Sequence, residues 1–85
     1  MTTYGERLEA ALVTQIKVEL VERNMDQKDL ADKVGINAVT MSKYMTNKRS
    51  IPMPTFFKVA EALSVSPMAL MQRAEARVQP ESQTA

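Results

Sequence analysis

Apolar residues recur along this chain at helical spacing, and no segment alternates with the period of two that a strand needs. Leu8, Leu12, Ile16 and Leu20 stand four apart, flanked by Val13 and Val21. Thr3-x-x-Glu6 is a capping-box pattern, so a first helix is predicted over about 4–23, ended at Asn24-Met25. Asp26 is a good N-cap for a second helix over 27–34, with Leu30, Ala31 and Val34 facing inward. Gly35 then supplies a left-handed residue without steric cost, and a bulky side chain there is expected to unfold the helix pair. Asn37 caps a third helix over 38–46, which Asn47 closes in a left-handed conformation. Lys48-Arg49-Ser50-Ile51-Pro52 reads as a basic loop. Pro54 suits the first turn of a fourth helix running to about 63, which presents Phe56, Phe57, Val59, Ala60 and Leu63. Ser66-Pro67 repeats that signal and opens a fifth helix to about 77, leaving 78–85 as a frayed polar tail.

The expectation is thus one all-α domain over 1–77, and 85 residues leave room for no second one. Two glycines and four prolines exclude a disordered or fibrous chain. No apolar run approaches the ~20 residues of a membrane span, and the Met-Thr-Thr-Tyr-Gly start lacks the shape of a signal peptide. The chain has no cysteine and no histidine, which removes the commonest metal ligands, nucleophiles and acid–base groups. We therefore expect no enzyme, no metal, no cofactor and no small-molecule ligand. The methionines 25, 41, 45, 68 and 71 sit at helical apolar positions and read as core filler.

A net charge of +1 says little by itself, but its distribution says more. Residues 33–60 carry Lys33, Lys43, Lys48, Arg49 and Lys58 and no acid, a local +5 that leaves −4 for the rest. Such asymmetry is expected of a module that turns one side to phosphate.

The most informative stretch is 27–46, QKDLADKVGINAVTMSKYMT. Two short helices joined by Gly35-Ile36-Asn37 must pack closely, and Ala31 provides the small residue where they cross. Leu30, Val34, Ile36, Met41 and Tyr44 fall on inward positions. That leaves Ala38, Val39, Ser42, Lys43 and Thr46 outward, on a helix that fits a major groove about 12 Å wide.

With the two helices that follow, this stretch resembles the DNA-binding domain of phage repressor and Cro-type (XRE-like) helix-turn-helix regulators. The resemblance covers roughly 16–71. It rests on Gln27, Ala31, Gly35, the inward apolar positions and the Ala-Leu-Ser-Val-Ser segment at 62–66, all in one register. It implies a five-helix lambda-repressor-like fold and a cytoplasmic regulator, most simply a repressor, that binds a double-stranded DNA operator as a homodimer. The fifth helix with its neighbouring loop is the family's usual dimer surface; the long first helix is the alternative here. The chain departs from the family at Leu20 and Met45, where many members carry an Arg–Glu pair, so an apolar contact is expected instead. It departs again at Asn47, usually Gly, and at Met53, usually the hydroxyl cap of the fourth helix.

Ala38, Val39, Ser42 and Lys43 are the candidate base readers, with methyl groups for thymine and an ammonium for guanine O6 or N7. Gln27, Lys28, Asn37, Thr40, Lys48 and Arg49 are the candidate phosphate contacts, the first two aided by the positive end of the second helix. Tyr44 reads as core. A competing reading is an antitoxin-like module that grips a protein partner, but the tail from Val78 is short and bland for that role.

Overall fold

The computed structural model describes residues 2–78; of the frayed tail expected over 78–85 only Val78 lies within them, and it is buried against the domain instead of frayed. The described chain forms five α-helices: α1 (Tyr4–Glu22), α2 (Gln27–Val34), α3 (Ala38–Met45), α4 (Met53–Ala62) and α5 (Pro67–Arg77). Local chemistry accounts for most of their starts. Thr3 and Glu6 form the reciprocal capping box at α1, and Asp26 and Asp29 form a second one at α2. Asn37 Oδ1 accepts the Thr40 N–H at 2.7 Å, and Ser66 Oγ accepts the Ala69 N–H at 3.0 Å. At α4 the cap position is Pro52, one residue before the expected Met53, and no side chain caps the end. Pro52 brings an already extended backbone, and Pro54 lies in the first turn, where its missing N–H goes unneeded.

Four helix ends share one device. Asn24 (φ 53°), Gly35 (φ 86°), Asn47 (φ 61°) and Ser64 (φ 59°) are left-handed. The residue after each donates its N–H to the carbonyl five positions back: Met25 to Leu20, Ile36 to Ala31, Lys48 to Lys43 and Val65 to Ala60. This turn favours an apolar residue at the donating position, folded back on its own helix. Met25 and Ile36 pack against the core and Val65 is buried in it. After α3 that position is Lys48, and its exposed charge is released to the surface beside the helix.

The core joins Leu12, Val13, Ile16 and Leu20 of α1 to Leu30, Ala31 and Val34 of α2, Met41 and Met45 of α3, and the inner faces of α4 and α5. Leu20 and Met45, the positions of the missing ion pair, are both inside it. Three expected core residues are not. Val21 is 80% exposed because it falls outside the stripe of Leu12, Val13, Ile16 and Leu20. Phe57 is exposed because Phe56, Val59, Ala60 and Leu63 already form the inward face of α4, and the next residue points about 100° away. Met68 is exposed because α5 turns Leu70 and Ala74 inward, so it is not core filler.

One buried polar group has no counterpart in the sequence reading. Glu19, 1% exposed, sits among the apolar residues of α1 and accepts from Arg23 Nη1 at 2.6 Å, Arg73 Nη1 at 2.7 Å and Gln15 Nε2 at 2.7 Å. Arg77 Nε donates to Gln15 Oε1 at 2.6 Å, and Arg23 Nε donates to the Leu63 carbonyl at 2.8 Å. The network ties α5 along α1 and pins the end of α4 to both.

Gly35 limits the expected effect of its own replacement. A Cβ built there meets nothing within 4 Å, so a side chain brings backbone strain and no clash. Gly35→Ala is expected to cost about 1–2 kcal/mol, and Gly35→Val somewhat more, with the helix pair still folded. Thermal unfolding followed by circular dichroism checks this; complete unfolding of the Ala variant would show that packing governs the turn.

Candidate nucleic-acid interface

The tight turn and the Ala31 crossing hold α3 so that Met41, Tyr44 and Met45 are buried, at 1%, 6% and 1% exposure. The opposite face is free. Val39 is 67% exposed, Ala38 and Lys43 are exposed, and Ser42 is half-buried. Ala38, Val39, Ser42 and Lys43 line one shallow depression with Thr46 and Lys48. The structure therefore brings all four candidate base readers together and adds Lys48 at their edge. Thr46 Oγ1 spends its proton on the Ser42 carbonyl at 2.8 Å, which leaves it only lone pairs to offer outward.

The candidate phosphate contacts divide. Asn37 is exposed and its Oδ1 is occupied by capping, so only its amide NH2 remains to donate. Thr40 is half-buried with its backbone N–H already taken, so its hydroxyl is the group left for DNA. At the start of α2, Asp26 Oδ1 accepts the Asp29 N–H at 2.7 Å and Asp29 Oδ2 accepts the Asp26 N–H at 3.1 Å. Two carboxylates thus already compensate the positive helix end that would otherwise attract an anion. Gln27 and Lys28 must then act through their side chains, of which Lys28 is exposed and Gln27 half-buried.

Nor do the bases of the acid-free stretch share one hollow. Lys43 and Lys48 border the depression on α3. Arg49 lines a different cavity that includes Glu6 and Glu9, and Lys33 and Lys58 share a third with Glu61. Chain folding places Glu6 and Glu9 of α1 in the hollow with Arg49, and Lys33 of α2 in the hollow with Glu61. α3 has no acidic residue of its own.

The sequence profile of the family described as Helix-turn-helix matches residues 16–70. The chain belongs to the helix-turn-helix family. The matched helix-turn-helix segment begins in the middle of α1 and ends within α5, so the first three turns of α1 lie outside it. Membership carries the coarse activity of that family, DNA binding in the regulation of transcription. Among solved structures, the clp gene regulator ClgR from C. glutamicum superposes with a TM-score of 0.78 at 15% identity, covering 87% of this chain and 96% of that one. Likeness at that identity speaks for the fold. A search of curated proteins finds no match. Among the described residues no helix is long and apolar enough to cross a membrane.

Proposed function

We propose that this helix-turn-helix protein is a sequence-specific repressor that binds a two-half-site operator as a homodimer, in the manner of phage immunity or Cro-like regulators. The observation that carries this reading is the outward face of α3, where Ala38, Val39, Ser42 and Lys43 share one depression bordered by Lys48. One such face reads few base pairs, at ~1–3 kcal/mol per good contact, so selectivity on a genome calls for two copies about 34 Å apart. The reading set has one ammonium, one hydroxyl and several methyl groups. Recognition therefore leans on thymine methyl contacts and DNA shape, with phosphate contacts fixing the register. A cytoplasmic protein of bacterial or phage origin, working at the nucleoid, fits this role.

Selection of bound DNA from a random pool, with sedimentation to count subunits, tests the reading directly. A palindromic consensus with half-sites one helical turn apart supports it; recovery of no consensus refutes it. Val39→Ala and Lys43→Ala should each alter the preferred base at one position by roughly tenfold or more while leaving the fold intact. Unchanged preference in both would place base reading elsewhere.

Lys48 and Arg49 make separable predictions. Because Lys48 borders α3 and Arg49 lines another cavity, Lys48→Ala should flatten the dependence of log affinity on log salt by about 0.9 per protomer. Adding Arg49→Ala should then change that slope little. A further equal drop would put both side chains on phosphate.

A further inference from the structure

An apolar concavity of about 450 Å³ lies between the first half of α1 and the segment joining α3 to α4. Leu12, Val13, Ile51, Phe56 and Met71 supply its apolar lining. Glu6 and Glu9 stand on the α1 side and Arg49 on the loop side. Among the described residues, none of these three charges has an ion-pair partner; the ion pairs found are Glu19 with Arg23 and with Arg73. Met53 lines the rim and is 64% exposed; Phe57, one turn further along α4 and outside the lining, is 51% exposed. Large apolar side chains this open, beside an apolar hollow, form a knob next to a hole.

We infer that this groove is the homodimer interface: a second copy of the chain seats Met53 and Phe57 over the hollow and pairs its Arg49 with Glu6 and Glu9. The inference rests on the dimeric reading above and assigns its surface. A groove with charges of both signs on opposite walls can be self-complementary across a two-fold axis. In such an interface a residue i meets j while j meets i, so each Arg49–Glu9 contact occurs twice. The apolar centre and charged rim match the usual anatomy of protein interfaces. The α1 wall, including Glu6, Glu9, Ala10, Leu12 and Val13, precedes the family match, which begins at residue 16. Docking here places the shared axis against the loop that leaves α3, with Lys48 on the DNA side and Arg49 on the partner side.

Sedimentation of the full chain without DNA tests the assignment, so the operator need not be known. Wild type should be dimeric. Glu9→Arg and Arg49→Glu should each raise the dimer dissociation constant at least about tenfold through like-charge repulsion, with unchanged helical signal and, at concentrations low enough that wild type is monomeric too, an unchanged melting temperature. An equimolar mixture of the two should recover dimers, because each heterodimer then contains two like-for-opposite matches across the axis. Met68→Asp, on the exposed part of α5, should leave the dimer intact. The inference is overturned if wild type stays monomeric, if both charge variants dimerise like wild type, if their mixture stays monomeric, or if Met68→Asp alone dissociates the dimer. Selective DNA binding by a dimer held through Met68 would leave the proposed function standing and sink only this interface. A dimer held through Glu9 and Arg49 without sequence-selective DNA binding would do the reverse.

Discussion

Glu19→Ala should lower the stability of this domain by about 3 kcal/mol, the lower end of what breaking a buried ion pair costs. The lower end applies because the partners Arg23 and Arg73 are 29% and 49% exposed at their side chains and can rehydrate. For a domain of this size that is a large share of the total. Urea unfolding followed by circular dichroism measures it, and a loss under about 1 kcal/mol would show that the network is ornamental. The pH profile gives a second readout. Burial opposes ionisation of Glu19, but the hydrogen bonds from Arg73, Gln15 and Arg23 and the charge of Arg73 outweigh it, holding the carboxyl below its ordinary 4.5. A carboxyl whose folded value is lowered stabilises the fold fully above its unfolded value and loses that contribution as pH falls through the folded one. The gap between wild type and Glu19→Ala should therefore be constant above pH 4.5 and narrow below it. A gap that persists unchanged in acid would mean that packing, and not charge, is what Glu19 supplies.

This network also marks where sequence reading stops. Thr3, Asp26, Asn37 and Ser66 were legible as helix starts because each acts on an amide three residues away. The left-handed Gly35 and Asn47 were legible for the same reason, since the conformation constrains one residue's own backbone. The turn and the inward positions of α2 and α3 followed, and with them the outward quartet on α3. Glu19 was not legible, because its partners Arg73 and Arg23 are made relevant only by α5 lying along α1. A faint signal existed: Gln15 and Glu19 stand one turn apart inside an apolar stripe, and Arg73 and Arg77 stand one turn apart on α5. Phe57 and Met68 were misplaced because helical spacing identifies an apolar face without limiting its width. The charge pattern misled in a similar way. The run free of acids in sequence, 33–60, places Arg49 in one hollow with Glu6 and Glu9, and Lys33 in another with Glu61, once the chain folds.

Leu20→Arg and Met45→Glu should each destabilise the domain at least as much as Glu19→Ala does, by about 3–5 kcal/mol, because each buries one charge with no partner. Leu20 is 6% exposed and Met45 is 1% exposed within a single core, so neither new charge reaches water without disrupting the packing around it. Together they create the Arg–Glu pair that the family resemblance leads one to expect at these positions, and the double variant should recover at least about 2 kcal/mol over the poorer single one. A double-mutant cycle in urea isolates that coupling from the cost of each substitution. The pH dependence should run opposite to that of Glu19. A lone buried carboxyl at position 45 has its folded value raised, so the variant is most stable in acid and weakens as pH rises through its unfolded value. Pairing with the guanidinium that Leu20→Arg introduces should abolish the weakening. If the double variant is no more stable than the poorer single one, the two positions do not face each other, and the helix-turn-helix register drawn through α1 and α3 is wrong at that point. If coupling appears, the wild-type chain has kept the geometry of an ion pair and filled it with a leucine and a methionine, avoiding the desolvation that two charges would incur.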